Sequence, residues 1–232
     1  MKLAILADIH GNQHALNEVI NELQRENISD LLLLGDYVGY YYHPEVVLQK
    51  LFQYQIRAVV GNHERLLFDF EDDPVKHSSV LEKYGTGHQA AVRNLSEDQK
   101  KWLHNLPETL ELEIDGLKIL LCHGAPWSND HYIYADSDES TLAEFDRYKV
   151  DFIFLGHSHY AYCIKRNNCS IVNPGSVGQS RQRGGYAFWA IFDTKSRIID
   201  FRTTPYDVSE LKKEISMNDP HLGYNLRILD RR

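Results

Sequence analysis

A chain of 232 residues is long enough for one large α/β domain with a well-buried core, or for two small ones. Apolar residues make up 43% and charged residues 25%, the ordinary mix of a soluble globular protein. A formal charge of −8 argues against long nucleic acid as the main partner, since binding a phosphate backbone rests on a basic field; a small anionic substrate held by local cations stays compatible.

The chain opens "MKLAILADIHGN", one lysine and a short apolar run broken by Asp8, too short for a signal peptide and without a small-residue cleavage pattern. No apolar run approaches the ~20 residues that span a membrane. Short Leu-, Ile- and Val-rich runs at 2–7, 31–34, 57–60, 117–121, 152–155 and 170–172 read as strands, several of them separated by helical spacing. Asn12 caps an expected helix over 13–26 with Ala15, Val19, Ile20 and Leu23 inward, and Pro44 opens a second with Val46, Val47, Leu48, Leu51 and Phe52 behind it. Ser96 with Gln99 predicts a capping box for 97–105, and a further helix is expected over 139–148. Strand–helix alternation of this kind predicts a largely parallel, buried sheet.

After residue 160 the pattern changes. "YAYCIKR", "CSIVNPG", "GYAFWAIFD" and "RIIDFRTTPY" read as antiparallel strands completing a second sheet, with Asp193 as a hairpin residue. Residues 207–216 predict a closing helix and 217–232 a tail on the surface. The whole chain, 1–232, reads as one domain, with a helical insertion at about 66–110 near the active-site edge. Three cysteines (Cys122, Cys163, Cys169) are odd in number and too few for a disulfide framework, which predicts a reduced, cytoplasmic home.

The chemistry lies where the apolar runs end. "LAILADIHGN", "LLLLGDYVG", "AVVGNHE", "ILLCHGA" and "FIFLGHSH" each finish in Asp, Asn or His with a glycine beside it. In open α/β sheets ligands bind beyond the carboxyl ends of strands, so these residues are expected on one edge. Asp8 and His10 are two apart, as are His157 and His159, so each pair can point one way; Cys122, next to His123, points away. The donors are two carboxylates (Asp8, Asp36), one amide oxygen (Asn62) and four imidazoles (His10, His123, His157, His159). Seven are too many for one tetrahedral ion and suit two divalent ions sharing a bridging carboxylate. A mixed N/O set without thiolate fits manganese, iron, zinc, cobalt or nickel rather than calcium.

The ordered set Asp-x-His, Gly-Asp, Gly-Asn-His-Glu, a lone His-Gly and Gly-His-x-His resembles the calcineurin-like metallophosphoesterases. It is most similar to a small bacterial and archaeal phosphodiesterase-like branch that also carries "NPGSVGQSR", here 173–181. The resemblance implies a four-layer α/β/β/α sandwich of two mixed sheets flanked by helices. It implies that Asp8, His10, Asp36 and His159 hold one metal and Asp36, Asn62, His123 and His157 the other, manganese being the first choice for both. His63 is then the general acid or transition-state stabiliser beside the scissile phosphate. Two such cations make hydroxide available from a bridging water near neutral pH and offset charge on an in-line transition state. One departure concerns Gly39, which stands where some members carry a second aspartate, three residues after the bridging one.

The expected reaction is hydrolysis of a small phosphomonoester or phosphodiester, with nucleotides among the candidate substrates. Dinucleoside polyphosphate hydrolysis and nuclease action on short nucleic acids are alternatives within the same chemistry, and a non-catalytic protein-binding scaffold is the rival outside it. Arg181 is a candidate phosphate contact. Tyr40, with Tyr41, Tyr42, Tyr132 and Tyr134, is a candidate aromatic wall. Glu64 has two readings, a carboxylate at a helix start or a support for a metal ligand. His14 and His43 read as surface histidines, and His88 as one that could reach the cleft.

Overall fold

A computed structural model describes the backbone of residues 1–232 and every side chain except those at 71, 72 and 74. Ten strands form two five-stranded sheets. In the first, β1 (Lys2–Leu6), β2 (Asp30–Leu33) and β3 (Gln55–Ala58) run parallel. In the second, β4 (Thr109–Ile114) pairs antiparallel with β5 (Leu117–Cys122), which runs parallel to β6 (Phe152–Phe154). Beyond β6 lie β7 (Ala161–Lys165) at the edge and β8 (Ser170–Pro174) between them.

The late strands depart from expectation. Only β7 and β8 join the second sheet, and β8 runs parallel to β6. The hairpin of β9 (Tyr186–Asp193) and β10 (Ile198–Pro205) instead pairs antiparallel with β1 in the first sheet. The physical reason is in β9, which buries Ala187, Trp189 and Ile191 on one face and Ala190 and Phe192 on the other. A strand apolar on both faces belongs inside a covered sheet, and β1 offers the free edge.

Alternation along the strands sorts the cores. Leu3 and Ile5 of β1 face the second sheet, packing among Ile119, Leu121, Phe152, Phe154 and Phe192. Ala4 and Leu6 point the other way, onto helices α1 (Gln13–Arg25) and α2 (Pro44–Leu51) through Leu16, Val19, Leu23 and Leu48. The outer face of the second sheet, with Leu120, Cys122, Ile153 and Ile171, is covered by Ile133, Leu142 and Phe145. The layers are therefore helix, sheet, sheet, helix, as the motifs imply.

The expected caps form. Asn12 Oδ1 accepts from the Ala15 amide at 3.0 Å, and Ser96 and Gln99 make the reciprocal pair at the start of α6 (Glu97–His104). Between β3 and β4 the chain is helical: α3 (Asn62–Asp72), α4 (Pro74–Tyr84), α5 (Gly87–Asn94) and α6. The segment expected as one helix over 139–148 is a short α7 (Glu139–Ala143) followed by a 3₁₀ turn, Glu144–Arg147. After α8 (Ser209–Asn218) the expected tail contains a helix, α9 (Gly223–Leu229), whose Ile228 and Leu229 are buried in the cluster of Tyr40, Tyr41 and Tyr42. Asp219 fixes that path, accepting from Tyr42 Oη at 2.8 Å and the Thr86 amide at 3.0 Å. Among the described residues no helix is long and apolar enough to cross a membrane.

Candidate metal centre

Four strand ends and the start of α3 converge on one point. Asp8, His10, Asp36 and His159 each bring a ligand atom to within 4.8 Å of the others, and so do Asp36, His123 and His157. Asp36 belongs to both groups. Asn62 joins the second, its Oδ1 lying 2.9 Å from His123 Nε2. All seven side chains expected to converge do so, and all are buried.

The route to convergence differs from simple strand alternation. Asp8, His10, Asp36, Tyr40, His157 and His159 all have positive φ, between 52° and 65°. Left-handed backbone at a non-glycine residue costs about 1–3 kcal/mol and gathers at functional sites, where surrounding structure holds it. Here the holding contacts are explicit. His10 N donates to Asp36 O at 2.9 Å, and Asp8 O accepts from Gly178 N at 3.0 Å and Ser176 Oγ at 2.8 Å. Gly61 lets the turn before α3 touch the Asp36 turn: a Cβ there would lie 2.1 Å from Asp36 Oδ1.

Backbone carbonyls fix the imidazole tautomers. His10 Nδ1 donates to Val38 O (3.0 Å), His123 Nδ1 to Leu34 O (2.7 Å) and His159 Nδ1 to Gln179 O (2.7 Å), so each turns Nε2 into the cluster, and the neutral rings of His10 and His159 present it as an acceptor. His157 is reversed. Its Nε2 donates to Asp130 O at 3.2 Å, leaving Nδ1 as the acceptor. Ring orientation by a second hydrogen bond is how metal-ligating histidines are usually set.

That leaves acceptors facing acceptors. His10 Nε2 and His159 Nε2 are 3.3 Å apart, and His159 Nε2 is 3.7 Å from Asp8 Oδ1; His123 Nε2, 3.3 Å from Asp36 Oδ2, meets that carboxylate only by carrying a proton of its own. Buried lone pairs crowded without donors between them are unfavourable unless positive charge sits among them. The residues present fit divalent cations.

The electrostatics say the same. Burial pushes His10 down to about 4 and His157 to about 3, and holds His159 well below the ordinary histidine range, so all three are neutral imidazoles near pH 7. Burial would lower His123 too, but the charges of Asp36 and Asp8 push it up to about 10. In the metal-free protein this imidazolium is the cation of the cluster. Against the effect of burial, His123 holds Asp36 well below the carboxylate range, while burial lifts Asp8 to about 7.

Both readings of Glu64 hold. It caps α3 by accepting from Gly61 N at 2.8 Å, and it accepts from the amides of Asp36 (2.9 Å), Tyr37 (2.7 Å) and Val38 (3.1 Å). One buried carboxylate thus holds the turn that carries Asp36. Asn173 does the equivalent for the His157–His159 turn, donating to Gly156 O at 2.6 Å and Ser158 Oγ at 3.0 Å and accepting from Gly175 N at 2.9 Å.

His63 stands beside the cluster, its ring 4.7 Å from that of His10 and 5.0 Å from that of Tyr40. Its amide donates to Asp36 Oδ1 at 2.9 Å, while its buried Nδ1 has no partner. Gly39 explains the ring's position: a Cβ there would lie 2.1 Å from His63 Nδ1, so the ring fills the space a side chain would take. His88, read from the sequence as able to reach the cleft, is buried and stacks on His63 at 5.1 Å and 15°. Burial holds the His63 imidazole well below the ordinary range.

The rim is aromatic and carries a cation. Tyr132 lies 3.9 Å from the His157 ring and is 43% exposed, which makes it the outermost of these groups. Arg181 sits over Tyr132 at 5.7 Å, with its amide on His159 O at 3.4 Å and a buried Nε without a partner. Tyr84 packs against both Tyr40 (5.5 Å) and His63 (4.7 Å).

The chain and its fold are similar to known proteins. The family model for the calcineurin-like phosphoesterase superfamily domain matches residues 1–197. The uncharacterized protein MJ0912 of Methanocaldococcus jannaschii is 28% identical over 234 residues, covering 93% of this chain and 92% of its own. A metallophosphoesterase from Sphaerobacter thermophilus has a similar structure (TM-score 0.81, 22% identity, 98% of each chain). So does the hypothetical protein PH1004 of Pyrococcus horikoshii (TM-score 0.83, 22% identity, 99% of this chain and 98% of the other).

Proposed function

The chain belongs to the calcineurin-like phosphoesterase superfamily and is a metal-dependent hydrolase of phosphoester bonds, and on that footing we propose a dinuclear centre acting on small phosphate esters. The observation that carries the reading is the double membership of Asp36, which shares one carboxylate between two ligand groups. Asp8, His10 and His159 complete one ion's ligands; Asn62, His123 and His157 complete the other's. Manganese suits this hard-to-intermediate N/O set, and iron, zinc, cobalt and nickel fit it too. When bound, such ions supply Lewis acidity towards phosphoryl oxygens and draw the pKa of a shared water towards neutrality.

The chain's own groups do the rest. His63 faces the centre in a cage of Tyr40, Tyr84 and His88, where a proton on Nε2 can pass to a leaving alkoxide. Arg181, at the rim over Tyr132, would supply the guanidinium that meets a phosphate oxygen. Tyr132, exposed at the rim, would offer a ring face to an aryl group or nucleobase, while Tyr40 is buried against His10 and His63 and would act by holding the His63 ring. The reading takes residues 1–232 as a single domain in a reducing, cytoplasmic setting, with α3 to α6 forming the helical insertion beside the site.

A non-catalytic scaffold would have no need of seven convergent acceptors. The deciding test strips the protein with chelator, restores Mn²⁺, and assays p-nitrophenyl phosphate beside bis-p-nitrophenyl phosphate, with Asp36→Asn as control. Two metals per chain, with activity abolished in the variant, are expected. No metal and no turnover with any divalent ion would leave only the scaffold.

A further inference from the structure

A second cluster of donors lies on the opposite side of the Tyr40–His43 turn. His14 from the first turn of α1, His43 at the start of α2 and Glu214 from α8 bring ligand atoms within 4.8 Å of one another. His43 Nε2 is 2.9 Å and His14 Nε2 3.3 Å from the same oxygen, Glu214 Oε1. Donors held about 2.0–2.1 Å from a tetrahedral ion stand roughly 3.3 Å apart, close to the two nitrogen–oxygen distances here, and the two imidazole nitrogens are within 4.8 Å of each other.

We propose that His14, His43 and Glu214 form a separate site for a single zinc-class ion, with water in the fourth position. Two imidazoles and a carboxylate are a sufficient protein ligand set for such an ion. The surroundings support it. Glu45 Oε1 lies 4.0 Å from His43 Nδ1, beyond hydrogen-bond reach but near enough for its charge to favour positive charge at this ligand. The other oxygen of Glu45 is buried without a partner. All three donors are partly exposed, between 21% and 28%, so an ion can enter and keep a water.

The site has a consequence for the fold. Glu214 lies beyond residues 1–197, the part that matches the family model, so the site ties α8, outside that match, to α1 and to the start of α2. His43 N also donates to Gly11 O at 3.2 Å, which places the clamp one turn of chain from His10. The buried centre is unnecessary to it, because no residue is shared between them.

The test is zinc binding by the full chain. Wild type, His14→Gln, His43→Gln, Glu214→Gln and Asp36→Asn are dialysed against zinc, checked for folding by circular dichroism, and counted by elemental analysis. Wild type should hold one more zinc per chain than each of the three cluster variants, while Asp36→Asn keeps that ion. Cobalt(II) loaded into the Asp36→Asn background should show the visible absorption of a four-coordinate site, abolished by adding Glu214→Gln. Equal zinc counts in wild type and whichever cluster variants fold, or loss of every ion in Asp36→Asn, would overturn the proposal. Since Asp36→Asn alone reports on the buried centre, failure of one site is distinguishable from failure of the other.

Discussion

His63 is the residue whose two halves have separable roles. Its backbone amide secures Asp36 Oδ1, while its ring carries the chemistry proposed above. His63→Ala keeps the amide and removes the ring. Metal content should stay at the wild-type value while kcat falls roughly 10²–10⁴-fold, the usual worth of a positioned proton donor. Unchanged turnover in the metal-loaded variant would remove the ring from the mechanism. Gly39 sets the same ring from the other side. Gly39→Ala places a methyl 2.1 Å from Nδ1 at φ of +85°, which no L side chain adopts without strain. The ring must swing out, so activity should drop as in His63→Ala, with a further stability loss of about 1–3 kcal/mol that His63→Ala does not show. Denaturant titration of both variants beside kcat separates the two effects. A Gly39→Ala protein as active as wild type would mean the ring has room the structure does not give it.

At the scale of elements, the metal site depends on turns that are held by side chains rather than by the sheets. Asn173, fully buried in β8, ties the turn carrying His157 and His159 to the turn at Gly175. Asn173→Ala should weaken metal affinity about 10–100-fold, as loss of ligand support commonly does, with secondary structure unchanged. Titration with Mn²⁺ followed by recovered activity measures this; wild-type affinity would mean the turn holds itself. The same distinction explains what the sequence reveals. Period-two and helical spacing made α1, α2, the core strands and the cap at Ser96 legible, because local propensity and burial agree there. Five glycine-flanked Asp, Asn and His endings made the seven convergent residues legible. Side-chain-to-carbonyl bonds such as His10 to Val38 O were not legible, since every residue has a carbonyl. Nor was the partnership of β9 with β1: a run apolar on both faces predicts an interior strand but leaves both sheets open to it. His14 and His43 read as surface histidines and nothing in the sequence singles out Glu214, 200 positions from His14; the fold brings them together by packing Leu211 and Ile215 of α8 into the Tyr40–Tyr42 cluster.

For the whole molecule, metal uptake and proton loss are one equilibrium. His123 must be neutral to ligate, yet its metal-free imidazole is pushed up to about 10 by Asp36 and Asp8 against burial, so it is protonated at pH 7. Asp8, lifted by burial to about 7, contributes in the same direction. His10 and His157 are already neutral and release nothing. Filling the centre at pH 7 should therefore expel between one and two protons per chain, and affinity should weaken as pH falls. Calorimetry of Mn²⁺ binding in two buffers of different ionisation enthalpy counts those protons directly; a count of zero would be incompatible with an imidazolium among the ligands. The stability consequence follows in sign. His123 has a folded pKa above its unfolded value of 6.5, so in the chelated protein its contribution is fully present below about pH 6.5 and is lost as the pH rises through about 10. The bound ions replace that charge and bind more tightly over the same range. Chelation should thus lower Tm more at pH 8.5 than at pH 6.5, and an equal drop at both would mean that the ions do not compete with this proton for the site.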